Sequence, residues 1–291
     1  MFKRINWKAL ILGFTWLICL SSLVVLMSFI EGKKQELTCT KVKIDISGNQ
    51  RYIERSEINR LLTQNKGRLR GKVLNTLHIH DIENILRGNP FIEGAKVYTD
   101  MDGSIWVQIK QREPVLRILN AFNQDFYIDR NGLKMPISTN YTANVLASNG
   151  FIMEVFSNKV DTLKTKIAKD LFTTALFIEK DTLWSQQIEQ IYVNANAEFE
   201  LVPRVGDHKI ILGSTDSLAT KFNNLLLFYK KALPKVGWNT YKTINLKYAN
   251  QIVCEKTDAD STIKKYAARL SPPTSSKTTS QDQDTVNTLK R

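Results

Sequence analysis

An α+β protein carried on a single N-terminal membrane-spanning helix is the fold class this sequence predicts, and three observations predict it. Residues 9–30 form an apolar run of 22 without one charged side chain. Over residues 41–111 the hydrophobic period switches between two and about 3.6, in the order strand, helix, helix, strand, strand. From 113 to 256 the chain is strand-rich and is interrupted by two amphipathic helical stretches.

The apolar run comes first. At 1.5 Å per residue it is roughly 33 Å long, enough for the ~30 Å hydrocarbon core of a bilayer. Thirteen of its residues are Leu, Ile, Phe or Val, which favour insertion by roughly 4–8 kcal/mol before polar positions are subtracted. Trp7 suits an interfacial anchor and Trp16 a lipid-facing ring. A cleaved signal peptide would carry a shorter apolar core and a small-residue cleavage site, and none follows Ile30. A lipoprotein anchor at Cys19 is disfavoured by bulky Ile18 and by the apolar residues that continue past it. Lys3, Arg4 and Lys8 precede the span, while Lys33, Lys34, Lys41 and Lys43 follow it, so charge balance does not fix orientation. The expected topology keeps residues 1–8 in the cytoplasm and places everything after Ile30 outside, because long domains translocate largely regardless of charge.

The formal charge is +13. In a soluble protein that would suggest nucleic acid. Here the basic residues read as scattered, with no dense block, so the acidic partners on offer are lipid headgroups, wall polymers or acidic protein surfaces. The three cysteines are too few for a disulfide framework. Cys39 and Cys254 are expected as free thiols.

Residues 31–40 read as a short polar linker. Val42, Ile44 and Ile46 then alternate with Lys43 and Asp45 as a half-buried strand, closed by Ser47-Gly48-Asn49. Ser56 reads as the N-cap of a helix that buries Ile58, Leu61 and Leu62. After a loop with Gly67 and Gly71, a second helix starts near His80 or Asp81, buries Ile82, Ile85 and Leu86, and stops at Gly88-Asn89-Pro90. Strands over 92–99 and 104–111 follow, joined by Asp100-Met101-Asp102-Gly103; the second turns Ile105, Val107 and Ile109 one way and Trp106, Gln108 and Lys110 the other.

Three phrases in this region resemble the POTRA domain of the FtsQ/DivIB family of bacterial cell-division proteins. They are Ile46-Ser47-Gly48-Asn49 after the first strand, Asn89-Pro90-Phe91-Ile92 entering the hairpin, and Arg112-Glu113-Pro114-Val115 leaving it. Tyr127-Ile128-Asp129 with Gly132, and Ile244-Asn245-Leu246-Lys247-Tyr248-Ala249-Asn250-Gln251, are similar to later parts of the same family. The resemblance covers residues 1–256. It implies the divisions 1–8 cytoplasmic tail, 9–30 transmembrane helix, 31–40 linker, 41–112 POTRA-like domain and 113–256 β domain. Beyond these, 257–291 is expected as a partly or fully disordered tail, since past about Ser271 Pro, Ser, Thr, Gln and Asp dominate with no aromatic residue. Pro114 cannot donate to a ladder and pushes Glu113 to an extended conformation, so a restricted hinge is expected there.

Within the β domain, strands are expected at 115–121 and 126–129, with a turn at Asp129-Arg130-Asn131-Gly132. Residues 136–150 read as loop. Val160, Leu163, Ile167, Leu171, Ala175 and Ile178 form the stripe of a helix over 160–180. Strands at 188–193, 199–202 and 209–212 follow. Leu218, Phe222, Leu225, Leu226, Tyr229 and Leu233 mark a core-facing helix over 217–233, and one closing strand is expected over 243–255.

The catalytic inventory is thin. The sequence has no nucleophile elbow, metalloprotease helix, Cys-x-x-Cys or phosphate-cradling loop. His78 and His80 could share one side of an extended segment as metal ligands, but a site needs three or four. Asp100-Met101-Asp102 is the one alternative of weight. A D-x-D pair behind a single span is also the plan of a type II membrane glycosyltransferase that holds a divalent metal on a nucleotide sugar. A hairpin turn explains the same residues more simply.

The expected function is therefore a non-enzymatic, bitopic scaffold with no cofactor, no metal, no nucleic acid and no small-molecule substrate. The resemblance implies a place in the cell inner membrane at the division site, with the bulk of the chain in the periplasm, linking early and late division proteins. It also implies FtsB-like and FtsL-like partners. The expected docking residues are Ile244, Leu246, Tyr248, Asn250 and Ile252 on the closing strand, because a terminal strand offers an unpaired edge.

Overall fold

The computed structural model describes residues 7–35, 37–48, 51–248 and 251–257. The expectations for residues 1–6, Asn49, Asn250 and the tail after 257 fall outside the described residues.

Helix α1 (Trp7–Gln35) carries the apolar run, and its stretch Ile11–Ser28 is long and apolar enough to cross a membrane, with no part of it buried in the protein. The helix continues five residues beyond 30, so half of the expected linker is helical. Lys33, Lys34 and Gln35 are good helix formers, which lets the last turns extend into water.

The first folded unit has the expected order: β1 (Lys41–Ser47), α2 (Arg55–Lys66), α3 (Ile79–Arg87), β2 (Ile92–Thr99) and β3 (Ser104–Gln111). Its sheet runs β1-β3-β2, with β1 parallel and β2 antiparallel to the central β3. Ile105, Val107 and Ile109 of β3 meet Ile58 and Leu62 of α2 and Ile82 and Leu86 of α3 in one core. Each such side chain contributes about 1.5–3 kcal/mol on burial. Two local expectations change. Ser56 lies inside α2 and donates to Glu54, which is the N-cap. Cys39, placed in the linker by sequence, is buried in this core.

The second unit is a ten-stranded mixed sheet. Its strands are β4 (Pro114–Leu119), β5 (Asp125–Asp129), β6 (Leu133–Pro136), β7 (Leu146–Gly150), β8 (Asp161–Thr162), β9 (Ile188–Val193), β10 (Phe199–Pro203), β11 (Lys209–Gly213), β12 (Tyr241–Asn245) and β13 (Val253–Lys256). The spatial order is β13-β12-β11-β10-β9-β7-β4-β5-β6-β8. Helices α4 (Lys166–Lys180) and α6 (Leu218–Lys231) pack against it through Leu171, Ala175 and Ile178, and through Phe222, Leu225 and Tyr229. Short helices α5 (Thr182–Gln187) and α7 (Leu233–Val236) complete it.

Several departures from expectation have physical causes. Residues 146–150, read as loop, form β7, which lies parallel to both β4 and β9 and joins the two halves of the sheet. Gly150 has φ 102°, and a Cβ there would stand 2.2 Å from the Val193 carbonyl oxygen, so the strand ends where only glycine fits. The expected helix over 160–180 starts at 166 instead. Thr165 is its N-cap, its side-chain oxygen accepting from the Ala168 N–H, while Leu163 is buried in the irregular run before it. That run is held by a buried pair: Lys134 Nζ stands 2.8 Å from Glu154 Oε1, with both side chains 1% exposed. Glu154 also accepts from the Thr165 N–H and hydroxyl and from the Lys164 N–H. These donors outweigh burial and hold its carboxyl below the usual glutamate range.

The joint between the units is stapled. Arg112 Nη1 meets Asp129 Oδ2 at 2.7 Å with both largely buried. Tyr52 stacks on Phe91 and meets Tyr141 of the second unit edge-on, ring centroids 5.0 Å apart. Gln111 Oε1 accepts from the N–H groups of Tyr52 and Ile53.

Candidate docking edge

The closing segment is a hairpin, not one strand over 243–255. β12 pairs with β11 on one side and β13 on the other, and among the described residues β13 is the last strand of the sheet. The ladder stops at Asn245 and resumes at Val253, which pairs back onto Asn245, although Ile244, Leu246 and Tyr248 keep the period of a strand.

The hairpin sorts the expected docking residues. Ile244 and Leu246 are 0% and 3% exposed and belong to the core. They support the edge from beneath. Tyr248 is half exposed in the β12–β13 connection. Ile252 is partly buried against the core, and Asn250 lies outside the described residues.

The base of the connection is pinned. The Leu246 N–H donates to the Ile211 carbonyl at 2.8 Å, and the Lys247 N–H donates to Asn245 Oδ1 at 3.0 Å. Lys247 also pairs with Glu198, which raises the lysine and lowers the carboxylate. The Tyr248 ring therefore leaves from a fixed backbone. On β13, Val253 is 46% exposed. Glu255 accepts from the Thr243 hydroxyl at 3.2 Å. An edge strand with one side paired can take a further strand by main-chain hydrogen bonds, with a neighbouring aromatic ring supplying specificity.

The other candidates resolve into structure. Asp100 Oδ1 accepts from the Met101 N–H at 2.8 Å. Asp102 accepts from the Ser104 N–H at 2.7 Å and from its hydroxyl at 2.9 Å. Those two bonds, the N–H first, hold the Asp102 carboxyl below the usual aspartate range. The pair serves the β2–β3 turn, as the simpler reading expects. His78 is the N-cap residue of α3, and His80 stands 3.9 Å from Glu83. Among the described residues no group of three His, Cys, Asp or Glu side chains is placed to hold a metal. His208 is buried, its Nε2 2.8 Å from the Tyr229 hydroxyl and its ring against Trp238. Cys19, Cys39 and Cys254 are free thiols.

The described residues make one N-terminal helix long and apolar enough to cross a membrane, a small β-α-α-β-β unit and a larger mixed sheet with helices, an α+β protein. The comparisons place it further. A family model described as a POTRA-like domain matches residues 37–110, and one described as FtsQ/DivIB, C-terminal related, matches residues 113–255. The chain belongs to the FtsQ/DivIB family of division proteins. No curated protein matches it. The family and the apolar helix fit a single-pass membrane protein with division-related partners, and nothing in these matches supports the glycosyltransferase reading.

Proposed function

We propose that this chain is a non-enzymatic scaffold of the divisome, linking early and late division proteins at the septum. The observation that carries the proposal is that β13 ends the sheet among the described residues, with half-exposed Tyr248 in the connection that leads to it. In this reading residues 1–8 are cytoplasmic, 9–30 cross the cell inner membrane, and 41–112 and 113–256 are two periplasmic domains. A small FtsB-like subunit, accompanied by an FtsL-like one, adds a strand to β13, and Tyr248 anchors it. Ile244, Leu246 and Ile252 act by holding the edge in place, and Asn250 belongs to the connection the partner covers.

The test is recovery of the small partners from cross-linked dividing cells. Val253→Pro removes a main-chain donor at the edge, and Tyr248→Glu places a charge in the anchor position. Both variants should keep the membrane anchor and a folded domain while partner recovery falls at least ten-fold. Wild-type recovery with both variants would place the docking surface elsewhere.

A further inference from the structure

Almost no slack separates α1 from the first folded unit. The Leu37 carbonyl accepts from the Leu74 N–H at 2.8 Å, and Thr38 forms a β-bridge with Val73. The Cys39 N–H donates to the Lys72 carbonyl at 2.8 Å, and its own carbonyl accepts from the Gly71 N–H at 2.8 Å. A single residue, 36, lies between the helix and these ties. From Ser28 the helix rises about 10 Å to Gln35, and the two residue steps to Leu37 can add at most about 7 Å. The loop tied to residues 37–39 thus lies within about 17 Å of the hydrocarbon edge when α1 spans a bilayer. The headgroup layer occupies about 5–8 Å of that distance, which leaves roughly one Debye length at 0.1 M salt.

That loop reads Lys66-Gly67-Arg68-Leu69-Arg70-Gly71-Lys72. Leu69 is buried and anchors it, while Arg68, Arg70 and Lys72 are exposed. Lys66 pairs with Asp81 at 2.8 Å, and Lys72 Nζ donates to the Lys66 carbonyl. Neither arginine meets a carboxylate among the described residues. The acidic groups of the neighbouring hairpin turn, Asp100 and Asp102, accept from Met101 and Ser104. The arginines line a cavity of about 170 Å³ together with polar Asn59 and Thr63 and apolar Val42 and Leu62.

We propose that this loop is an anionic-lipid site, in which Arg68 and Arg70 take the phosphodiester of an acidic phospholipid headgroup in the leaflet from which α1 emerges. Guanidinium forks match phosphate oxygens in pairs. The cavity gives the phosphodiester and its first carbons a place between polar and apolar walls. Binding there fixes the tilt of the first unit on the membrane and so sets the direction in which the rest of the chain projects. The proposal rests on α1 lying in a bilayer, and it does not depend on the docking edge.

The test uses the full chain in nanodiscs with trace photoreactive phosphatidylglycerol or phosphatidylcholine, each carrying one reactive group at the headgroup and, in a second pair, one on the acyl chain. The phosphatidylglycerol headgroup probe should label residues 68–72 at least five-fold more than its phosphatidylcholine counterpart. Arg68→Gln/Arg70→Gln should cut that labelling about five-fold or more, since each basic residue near an anionic surface contributes about that factor. Arg68→Lys/Arg70→Lys should keep most of it, and acyl-chain labelling of α1 should not change in either variant. Equal headgroup labelling by the two lipids, with α1 labelled normally, overturns the lipid site alone. Unlabelled α1 overturns the membrane reading and this proposal with it. Displacement by soluble glycerol phosphate at millimolar concentration, or a glutamine variant that labels like wild type, also overturns it.

Discussion

The two folded units reach stability by different routes. In the first, helices and strands meet in one apolar core, with buried polar side chains at its rim: Ser104 at the β2–β3 turn, and Gln111 and Arg112 beside the joint. In the second, the sheet is completed by polar anchors buried among apolar residues. Lys134 and Glu154 hold the run 151–165 against β6, and Asn120 and Gln124 bind the carbonyls of Glu154 and Phe156. The difference teaches where a sequence can be read by periodicity alone. Apolar alternation marks a strand from its own residues, whereas a segment tied by a buried charge is defined by a partner elsewhere in the chain.

The comparison breaks most visibly at Lys134. Lys134→Met leaves Glu154 buried without its ammonium and should cost about 3–5 kcal/mol in denaturant unfolding of the second unit. Replacing both Lys134 and Glu154 with Met should recover a substantial part of that loss. Leu86→Ala in the first unit removes apolar volume only and should cost about 2–5 kcal/mol. A Lys134→Met loss under 1 kcal/mol would mean that alternation and packing carry both units alike.

Helix starts sharpen the same contrast at smaller scale. Thr165 caps α4 and donates to Glu154 Oε2 at 2.7 Å, so Thr165→Ala should cost about 1–2 kcal/mol. Ser56 is exposed inside α2, so Ser56→Ala should change stability by less than about 0.5 kcal/mol. Equal losses at the two positions would restore Ser56 as a cap.

These cases show what the sequence made legible. Every strand of the first unit falls at its expected residues, because β1 and β3 alternate and β2 does so from Ala95 after a bulge at its start, and Gly88-Asn89-Pro90 ends α3 as expected. The ring and leucine stripe of α6 was equally readable. β7 was not, since Leu146-Ala147-Ser148-Asn149-Gly150 has no apolar alternation and is held as a strand by β4 and β9 on either side. The start of α4 was misplaced because Val160 and Leu163 continue its stripe numerically while the chain there is bent to reach Glu154. In sequence the closing hairpin reads as one strand whose apolar residues suit a partner edge or the core alike, and the fold puts Ile244 and Leu246 in the core. The basic loop 66–72 was missed as a cluster because two glycines and a leucine space its charges, and its nearness to α1 exists only after folding.

A pH dependence belongs to the second unit as well. Burial pushes the His208 ring below its ordinary value, against the weaker opposing effects of a backbone hydrogen bond and Asp207. The neutral ring is therefore favoured in the folded state. Its stabilising effect is complete above the unfolded value near 6.5 and is lost as pH falls from there through the folded value. The melting temperature of the second unit should fall by a few degrees between pH 7.5 and 5.5, and His208→Gln should flatten that slope. An unchanged slope in the variant would assign the pH response to other groups.

The docking edge is tested most directly by amide hydrogen exchange of the full chain with and without its small FtsB-like partner. Partner binding should slow exchange at least ten-fold at those amides of 253–256 that β12 leaves unpaired, and Tyr248→Glu should abolish the slowing while the β9–β11 amides stay protected. Protection that appears elsewhere on the sheet, with 253–256 exchanging as fast as in the unbound chain, would contradict the account.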